Sequence, residues 1–561
     1  MSRRINRREF IANGGKLGLA FGSGLPYRLE AATRFDLVLK GGTLLDGTGG
    51  PPWQADLGIA GDTIEAVGTI APEQAKQVLD VAGFHVCPGF IDIHTHSDEG
   101  ILAYPTADSR VRQGITTEVT GNCGSSAAPL HGLGAEEIRK NWLENEGIEA
   151  DWSDVASYCA RIERTGISVN HALLLGQGTI RAAQVGEVNR PLNPDELKGV
   201  LREVEEGMDQ GAFGLSTGLE YTPGRYTPTA EIVEMARIVA RRGGLYASHI
   251  RNEQTLLLDA VNEAIDIGRL TGTRVEISHL KASGRQNWGK QRPSLDLIES
   301  ARRQGVEVLA DAYPYIAYST GLSIFLPDWA LEGGTGAVLE RLKDAGDRRR
   351  IRQEVVSRIA ADLGDFDLIV ISRTRDAKNT ALIGMNLAQI AAGWQVEPVD
   401  ALLRLLEEEK GDVPFIGYGM SPQNVEMVLG NPLVMIGSDG ESMAPAGKAA
   451  ASRPHPRSYG SHARVLAYYT VEKHIFDLPT AVKKMTSMPA DQAGIANRGR
   501  IARGRKADIV VFNAARIKDE ATFDNPHRYP AGILHVLVNG VPVVQNGSHT
   551  GARPGRMLRK A

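Results

Sequence analysis

Eight short apolar segments alternate with segments of helical period along the middle of the chain, which predicts a (β/α)8 TIM barrel. Both ends carry short strands broken by turn residues, which predicts one small β-sandwich formed by the two ends together. A long block before the eighth apolar segment, about 322–430, predicts an insertion, read as a helical excursion over the barrel mouth. The expected boundaries are a leader over 1–32, a small β domain over 33–87 and 498–561, and the barrel over 88–497.

The bulk numbers fit this plan. A chain of 561 residues suggests about two to four domains, or one large barrel with additions. Hydrophobic residues make up 42% and charged residues 23%, the balance of a packed globular protein. A net charge of -4 gives no long-range pull towards nucleic acid or acidic membranes, so neither is expected as a partner. Arg348-Arg349-Arg350 sits among mixed charges and reads as a solvated face. Three cysteines, Cys87, Cys123 and Cys159, cannot build a disulfide framework, and at least one thiol is left for a metal or a core.

The elements follow in order. Arg3-Arg4-Ile5-Asn6-Arg7-Arg8-Glu9-Phe10-Ile11 resembles a twin-arginine export signal, and a short, weakly apolar, Gly-rich stretch follows it to Gly24. That reading implies a periplasmic or exported protein; a basic arm at the start of a cytoplasmic protein is the alternative. No other segment is long and apolar enough to span a membrane. Strands around Asp36–Lys40 are punctuated by Asp46-Gly47 and Gly61-Asp62, read as tight turns. Ala507–Phe512 and the hairpin Val536–Val544, with Asn539-Gly540 at its tip, give the far end the same texture. The barrel strands are expected at 89–93, 116–120, 168–175, 213–216, 244–248, 274–278, 306–310 and 433–437.

Barrel chemistry sits at the carboxyl ends of the strands, and the reactive residue types fall there. The first strand ends in His94-Thr95-His96; period-two alternation puts both imidazoles on one side, where they can grip one ion. Alone, such a pair also arises by chance in a strand or loop. The second strand leads into Gly121-Asn122-Cys123-Gly124, the fifth ends at His249, the sixth at His279 and the eighth runs into Asp439. Five strand ends carrying two His, Cys, His, His and Asp point to a metal site. Asp439 in Ser-Asp-Gly could also cap a helix.

These residues resemble those of the amidohydrolase superfamily, and within it the N-acyl-D-amino acid deacylases, or D-aminoacylases. The matching pieces are Gly-Phe-Ile-Asp-Ile-His-Thr-His at 89–96, Gly-Asn-Cys-Gly at 121–124 and Ser-His-Ile-Arg-Asn-Glu at 248–253. Ser-His-Leu-Lys at 278–281, Asp-Ala-Tyr-Pro-Tyr at 311–315, Gly-Ser-Asp-Gly at 437–440 and His-Pro-Arg at 455–457 complete the set. The resemblance runs from about 35 to the end of the chain. It implies a tight zinc site made by Cys123, His249 and His279. It also implies a second, weaker position at His94 and His96, with Cys123 and Asp439 shared. Many superfamily members bridge two metals with a modified lysine. The third strand here has none, which is consistent with the Cys123 thiolate as the replacement.

The resemblance implies hydrolysis of the amide bond of N-acyl-D-amino acids, with Asp439 taking the water proton and returning it to the departing amine. It also implies that Lys281, Tyr313, Ser319 and Arg457 gather around the free carboxylate of a small-molecule substrate, with Tyr221 in the same pocket. His455 reads either as a partner of these groups or as exposed; His85, His171 and His462 read as structural, and Cys87 and Cys159 as core. Three rivals stay open at this point. One cleaves dipeptides with a carboxyl-terminal D-residue, one is a deaminase or cyclic-amide hydrolase, and one is an exported metal-binding protein on an inactive barrel. No oligomeric state is read from the sequence.

Overall fold

The computed structural model of the protein describes residues 34–560, so the leader expected over 1–32 lies outside the described residues. The eight segments form eight strands. These are Phe90–Asp92, Ile115–Thr120, Asn170–Gly176, Gly214–Gly218, Leu245–His249, Arg274–Ile277, Val308–Ala312 and Val434–Ile436. Each pairs in parallel with its neighbours in chain order, from the first strand to the eighth. Their side chains are almost wholly buried, because the strands have a packed barrel interior on one face and helices on the other. Pro194–Asp209 is representative of those helices. Asn193 caps its first turn, Pro194 opens it, and Val200, Val204 and Met208 face the barrel at helical spacing.

Closure of the barrel relies on short backbone contacts backed by buried side chains. The first and eighth strands share no strand-to-strand ladder; beyond their ends, Asp439 N–H donates to His94 O at 2.8 Å and His96 N–H to Gly440 O at 2.8 Å. Behind this contact lies Arg110, fully buried. Its guanidinium bonds Asp92 of the first strand, Glu118 of the second at 2.7 Å and Ser438 Oγ beyond the eighth at 2.9 Å. Asp92 also accepts the Ser438 N–H at 2.9 Å. The seam is an ion network that fixes the height of the first strand against the eighth.

The insertion has its own core, with Leu322, Phe325, Val355, Ile359, Leu402, Leu406 and Phe415 among its buried residues. It is less purely helical than expected. Tyr318–Gly321 and Ile369–Ile371 flank Pro414–Gly417 in a three-stranded antiparallel sheet. The excursion therefore begins at 318 rather than 322, because Tyr318–Gly321 pairs within it. It ends near 417, because Pro422–Gly430 packs on Gln291–Arg303 and on the eighth strand and so completes the helical ring. Thr320 Oγ1 donates to the Tyr221 hydroxyl at 3.2 Å, which brings the insertion over the carboxyl ends of the strands.

The two ends of the chain meet in one nine-stranded sheet. His85–Pro88 pairs antiparallel with Ile509–Phe512 and joins the early strands to the late ones. Phe35–Leu44 is the branch point: its first part pairs with Ala75–Asp80 and its last residues with His85–Pro88. Leu37, Leu39, Leu57, Ile59, Ile509, Val511 and Leu537 form the core of this unit. Asn539 and Gly540 take φ of 50° and 79°, the left-handed pair a two-residue hairpin tip requires. Gly61-Asp62 likewise joins two adjacent strands, whereas Asp46-Gly47 lies within a longer loop, 45–52, where the Asp46 carboxylate accepts the Thr48 N–H. No helix among the described residues is long and apolar enough to cross a membrane.

Arg110→Met should leave two carboxylates buried against no cation. The expected loss is about 3–5 kcal/mol of stability, read as a lower thermal midpoint. An unchanged midpoint would show that the seam does not depend on this network.

Candidate metal centre

Two sets of ligand atoms converge at the carboxyl end of the barrel. One set is His94, His96, Cys123 and Asp439; the other is Cys123, His249 and His279, and within each set all ligand atoms lie within 4.8 Å of one another. Cys123 belongs to both. Its Sγ lies 3.4 Å from His94 Nε2 and 3.4 Å from His279 Nε2. Asp439 Oδ1 lies 2.9 Å from His96 Nε2 and 3.4 Å from His94 Nε2. All six expected ligands are therefore brought together.

The backbone works to place them. Cys123, His279 and Asp439 have φ of 52°, 37° and 54°, in the left-handed region that non-glycine residues avoid. Each such residue costs about 1–3 kcal/mol, held by the surrounding structure. The sharp reversal at each strand end turns these side chains inward over the barrel instead of letting them follow the pleat.

The donor set fits a metal ion. Both ring nitrogens of buried His249 lack a hydrogen-bond partner among the described residues, which is costly unless a cation or water meets one of them. A thiol beside several imidazoles suits a soft or borderline divalent ion. Burial alone would push the Cys123 thiol up, but the charges of His94 and His279 outweigh it and hold it well below its usual range. Burial alone would strip protons from the imidazoles. The Asp439 and Cys123 charges outweigh it at His96, and the Glu253, Cys123 and Glu220 charges do so at His249; both are pushed up to about 10. Negative groups thus surround a position that wants positive charge.

A second layer orients the ligands. Asp311 Oδ2 stands 3.2 Å from His94 Nδ1, and Glu253 Oε1 stands 2.9 Å from His279 Nδ1. Carboxylates behind metal-binding imidazoles fix ring orientation and raise basicity. Against the desolvation of burial, Lys281 and His279 hold the Glu253 carboxyl down at about 2. Glu220 Oε2 lies 3.6 Å from His249 Nε2. Sequence reasoning gave none of these three carboxylates a role. Glu253 carried a signal all the same, standing four residues after His249 in a matched motif.

The five expected substrate contacts also lie around this centre, but most are already engaged. Lys281 Nζ donates to Glu253 Oε1 at 2.6 Å and sits 3.0 Å from His279 Nδ1. Arg457 donates from Nη1 to Asp439 Oδ2 at 2.6 Å and from Nη2 to Ser319 O at 3.4 Å. Tyr221 packs its ring 4.7 Å from that of His249. Tyr313 is the exception: its buried hydroxyl has no partner among the described residues, and burial pushes its pKa far up, so it remains a donor. His455 is buried rather than exposed. Its Nδ1 accepts the Arg457 N–H at 3.0 Å and its Nε2 lies 2.9 Å from Ala317 O, so it ties the arginine to the start of the insertion. His171 bonds Thr120 Oγ1 at 3.0 Å, and His85 and His462 stack on Phe512 and Phe90, as structural residues do. Cys87 and Cys159 are free and buried.

Comparison with known proteins agrees with this geometry. A profile of the amidohydrolase family matches residues 387–544. A D-aminoacylase of Alcaligenes xylosoxydans xylosoxydans is 36% identical over 94% of this chain and 98% of its own. An N-acyl-D-glutamate deacylase of the same organism is 36% identical over 94% and 97%. Among solved structures, the N-acyl-D-glutamate deacylase of Bordetella bronchiseptica, complexed with zinc and a phosphonate mimic of the tetrahedral intermediate, superposes with a TM-score of 0.79. It is 34% identical, with 94% of this chain and all of that one covered. A D-aminoacylase structure with a binuclear metal centre gives the same TM-score, identity and coverage. With this likeness running through nearly the whole chain, the protein belongs to the D-aminoacylase family of amidohydrolases.

Proposed function

We propose that the protein is a zinc-dependent deacylase that cleaves the amide bond of N-acyl-D-amino acids, releasing a carboxylate and a free D-amino acid. The observation that carries this reading is the convergence of the ligand set with the expected substrate contacts: His249, His279, Asp439, Lys281 and Ser319 line one cleft, Cys123 joins His249 and His279, Arg457 bonds Asp439, and the Tyr313 ring lies beside Lys281 and Arg457. Cys123, His249 and His279 would hold the tight ion; His94, His96, Cys123 and Asp439 would hold a second, weaker one. When bound, zinc supplies Lewis-acid charge and acidifies a water.

The chain's own groups supply the rest. Asp439 sits at the edge of the ligand set, where it takes a proton from water and returns it to the departing nitrogen, which leaves poorly unless protonated. Arg457 holds the second Asp439 oxygen and so aims the first at the centre. The free Tyr313 hydroxyl, with Lys281 and Arg457 beside its ring, offers a hydrogen bond to a carboxylate oxygen. Charge-assisted bonds of this kind contribute about 1.5–3 kcal/mol each. The test is a set of paired N-acetyl-D- and N-acetyl-L-amino acids with zinc-loaded protein. Turnover confined to the D-series supports the reading, and equal turnover of both series, or of neither, refutes it.

Asp439→Asn should keep the tight metal and lower kcat by about 10²–10⁴, the usual range for a lost acid–base group. Full activity by steady-state assay would remove Asp439 from the chemistry. Glu253→Gln should weaken the tight zinc by about 10–100-fold in chelator competition, as other losses behind metal-binding histidines do. Unchanged affinity would reduce Glu253 to a partner of Lys281. Zinc affinity should also rise with pH. His96 and His249 keep their protons up to about pH 10 in the metal-free protein and must release them to bind an ion. Each proton released strengthens binding about tenfold per pH unit, and affinity that stays flat between pH 6 and 8 would contradict this.

A further inference from the structure

The sulfur shared by the two ligand sets is carried on a tight turn, Gly121-Asn122-Cys123-Gly124. Residues 121, 123 and 124 all take positive φ, of 76°, 52° and 75°. A β-turn of four residues often joins its first carbonyl directly to its fourth N–H. Here a side chain from another strand stands between those two groups. Ser216, fully buried on the fourth strand, accepts the Gly124 N–H at 3.0 Å and donates to the Gly121 carbonyl. A hydroxyl can do both, because it carries one donor and two acceptor lone pairs. The inserted oxygen holds the turn open and ties it to the fourth strand.

A second clamp comes from the first strand. Asp98, two residues past His96, accepts the Gly121 N–H at 3.2 Å and the Ala127 N–H at 3.1 Å, one on each flank of Cys123. Asn122 Nδ2 adds bonds to Thr95 O at 3.4 Å and Val119 O at 3.0 Å, and Thr95 lies between the two histidine ligands of that strand. Behind the turn there is no space to retreat. A Cβ on Gly218 would stand 1.9 Å from Cys123 O, and one on Gly121 would stand 2.0 Å from Leu174 O. The turn is thus pressed on the third and fourth strands and held to the first.

We propose that Ser216 and Asp98 are positioning residues for the bridging sulfur. Neither belongs to a ligand set. Between them they set where Cys123 Sγ stands against His94 Nε2 and His279 Nε2, each 3.4 Å away, and so set the affinity of both metal positions at once. Without the Ser216 hydroxyl, the Gly121 carbonyl and Gly124 N–H are left buried and unpaired unless the turn closes on itself, and closure moves the Cys123 backbone and its sulfur. The inference rests on the metal centre within the deacylase reading and concerns how that centre is held.

The experiment is a Co2+ titration of the metal-free, full-length protein, followed by the thiolate-to-cobalt charge-transfer band and by chelator competition. In the unaltered protein the band rises with the first Co2+ bound, and Cys123→Ala abolishes it. Ser216→Ala should keep the fold by circular dichroism, weaken Co2+ by about 10–100-fold and diminish or shift the band. Asp98→Asn, which takes the acceptor from one of two N–H groups, should act in the same direction, and it decides the matter if Ser216→Ala does not fold. A purely structural role would lower the thermal midpoint and leave both the band and the affinity unchanged. That result, in the variant that folds, overturns the proposal. Co2+ bound to the unaltered protein with no thiolate band overturns the ligand set, and the proposal with it. Cleavage of no N-acyl-D-amino acid, with band and affinities as expected, overturns only the deacylase reading.

Discussion

The metal centre exists because the first and eighth strands are held at one height. His94 and His96 come from one side of that seam and Asp439 from the other. Only short backbone contacts join them, and Arg110 supplies the lateral hold through Asp92, Glu118 and Ser438. Replacing the whole buried network, cation and carboxylates together, by apolar residues would cost little net stability, yet the network specifies one register. Register is what a ligand set divided between two strands requires. A shift of one residue would turn the histidines away from the aspartate.

Strain and polarity then do complementary work at the strand ends. Cys123, His279 and Asp439 adopt left-handed backbone conformations that an unconstrained chain would abandon. Their neighbours hold them there: the Asp439 N–H bonds His94 O, and the Cys123 sulfur faces two imidazoles. Positions preset in this way need little rearrangement to receive an ion. The carboxylates behind them, Glu253 and Asp311, reach the far nitrogens of His279 and His94 and set which nitrogen points forward.

Much of this was legible in the sequence because it is carried by pattern. Apolar runs alternating with helical segments located all eight strands to within a few residues, and the His, Cys and Asp at five of their ends are the six residues the fold brings together. Asn539-Gly540 announced its hairpin because that turn demands left-handed residues. What escaped has no periodic signature. Glu253 and Asp311 stand in matched motifs, but their place behind the histidines, like that of Glu220, shows only once folding brings them there. The partners of Lys281 and Arg457 were hidden for the same reason, since a cation near a motif does not say whether a protein carboxylate or a substrate will meet it. The start of the insertion was misplaced because Tyr318–Gly321 is too short to show alternation. His455 stayed undecided because its burial depends on Tyr315 and Phe523, which pack against it from distant parts of the chain.

The mixed sheet at the chain ends has a consequence for biosynthesis. His85–Pro88 leaves the ribosome more than four hundred residues before Ile509–Phe512, its antiparallel neighbour. Still later comes Gly555, which bridges to Ile167 just ahead of the third strand, and the Arg556 carbonyl, which accepts the His171 N–H within it. Until Ile509–Phe512 is made, His85–Pro88 presents an unfilled edge, and such edges invite pairing with other chains. Removing residues 555–560 would take away the bridge to Ile167 and the acceptor of the His171 N–H, so the third strand is finished by residues made hundreds of positions after it.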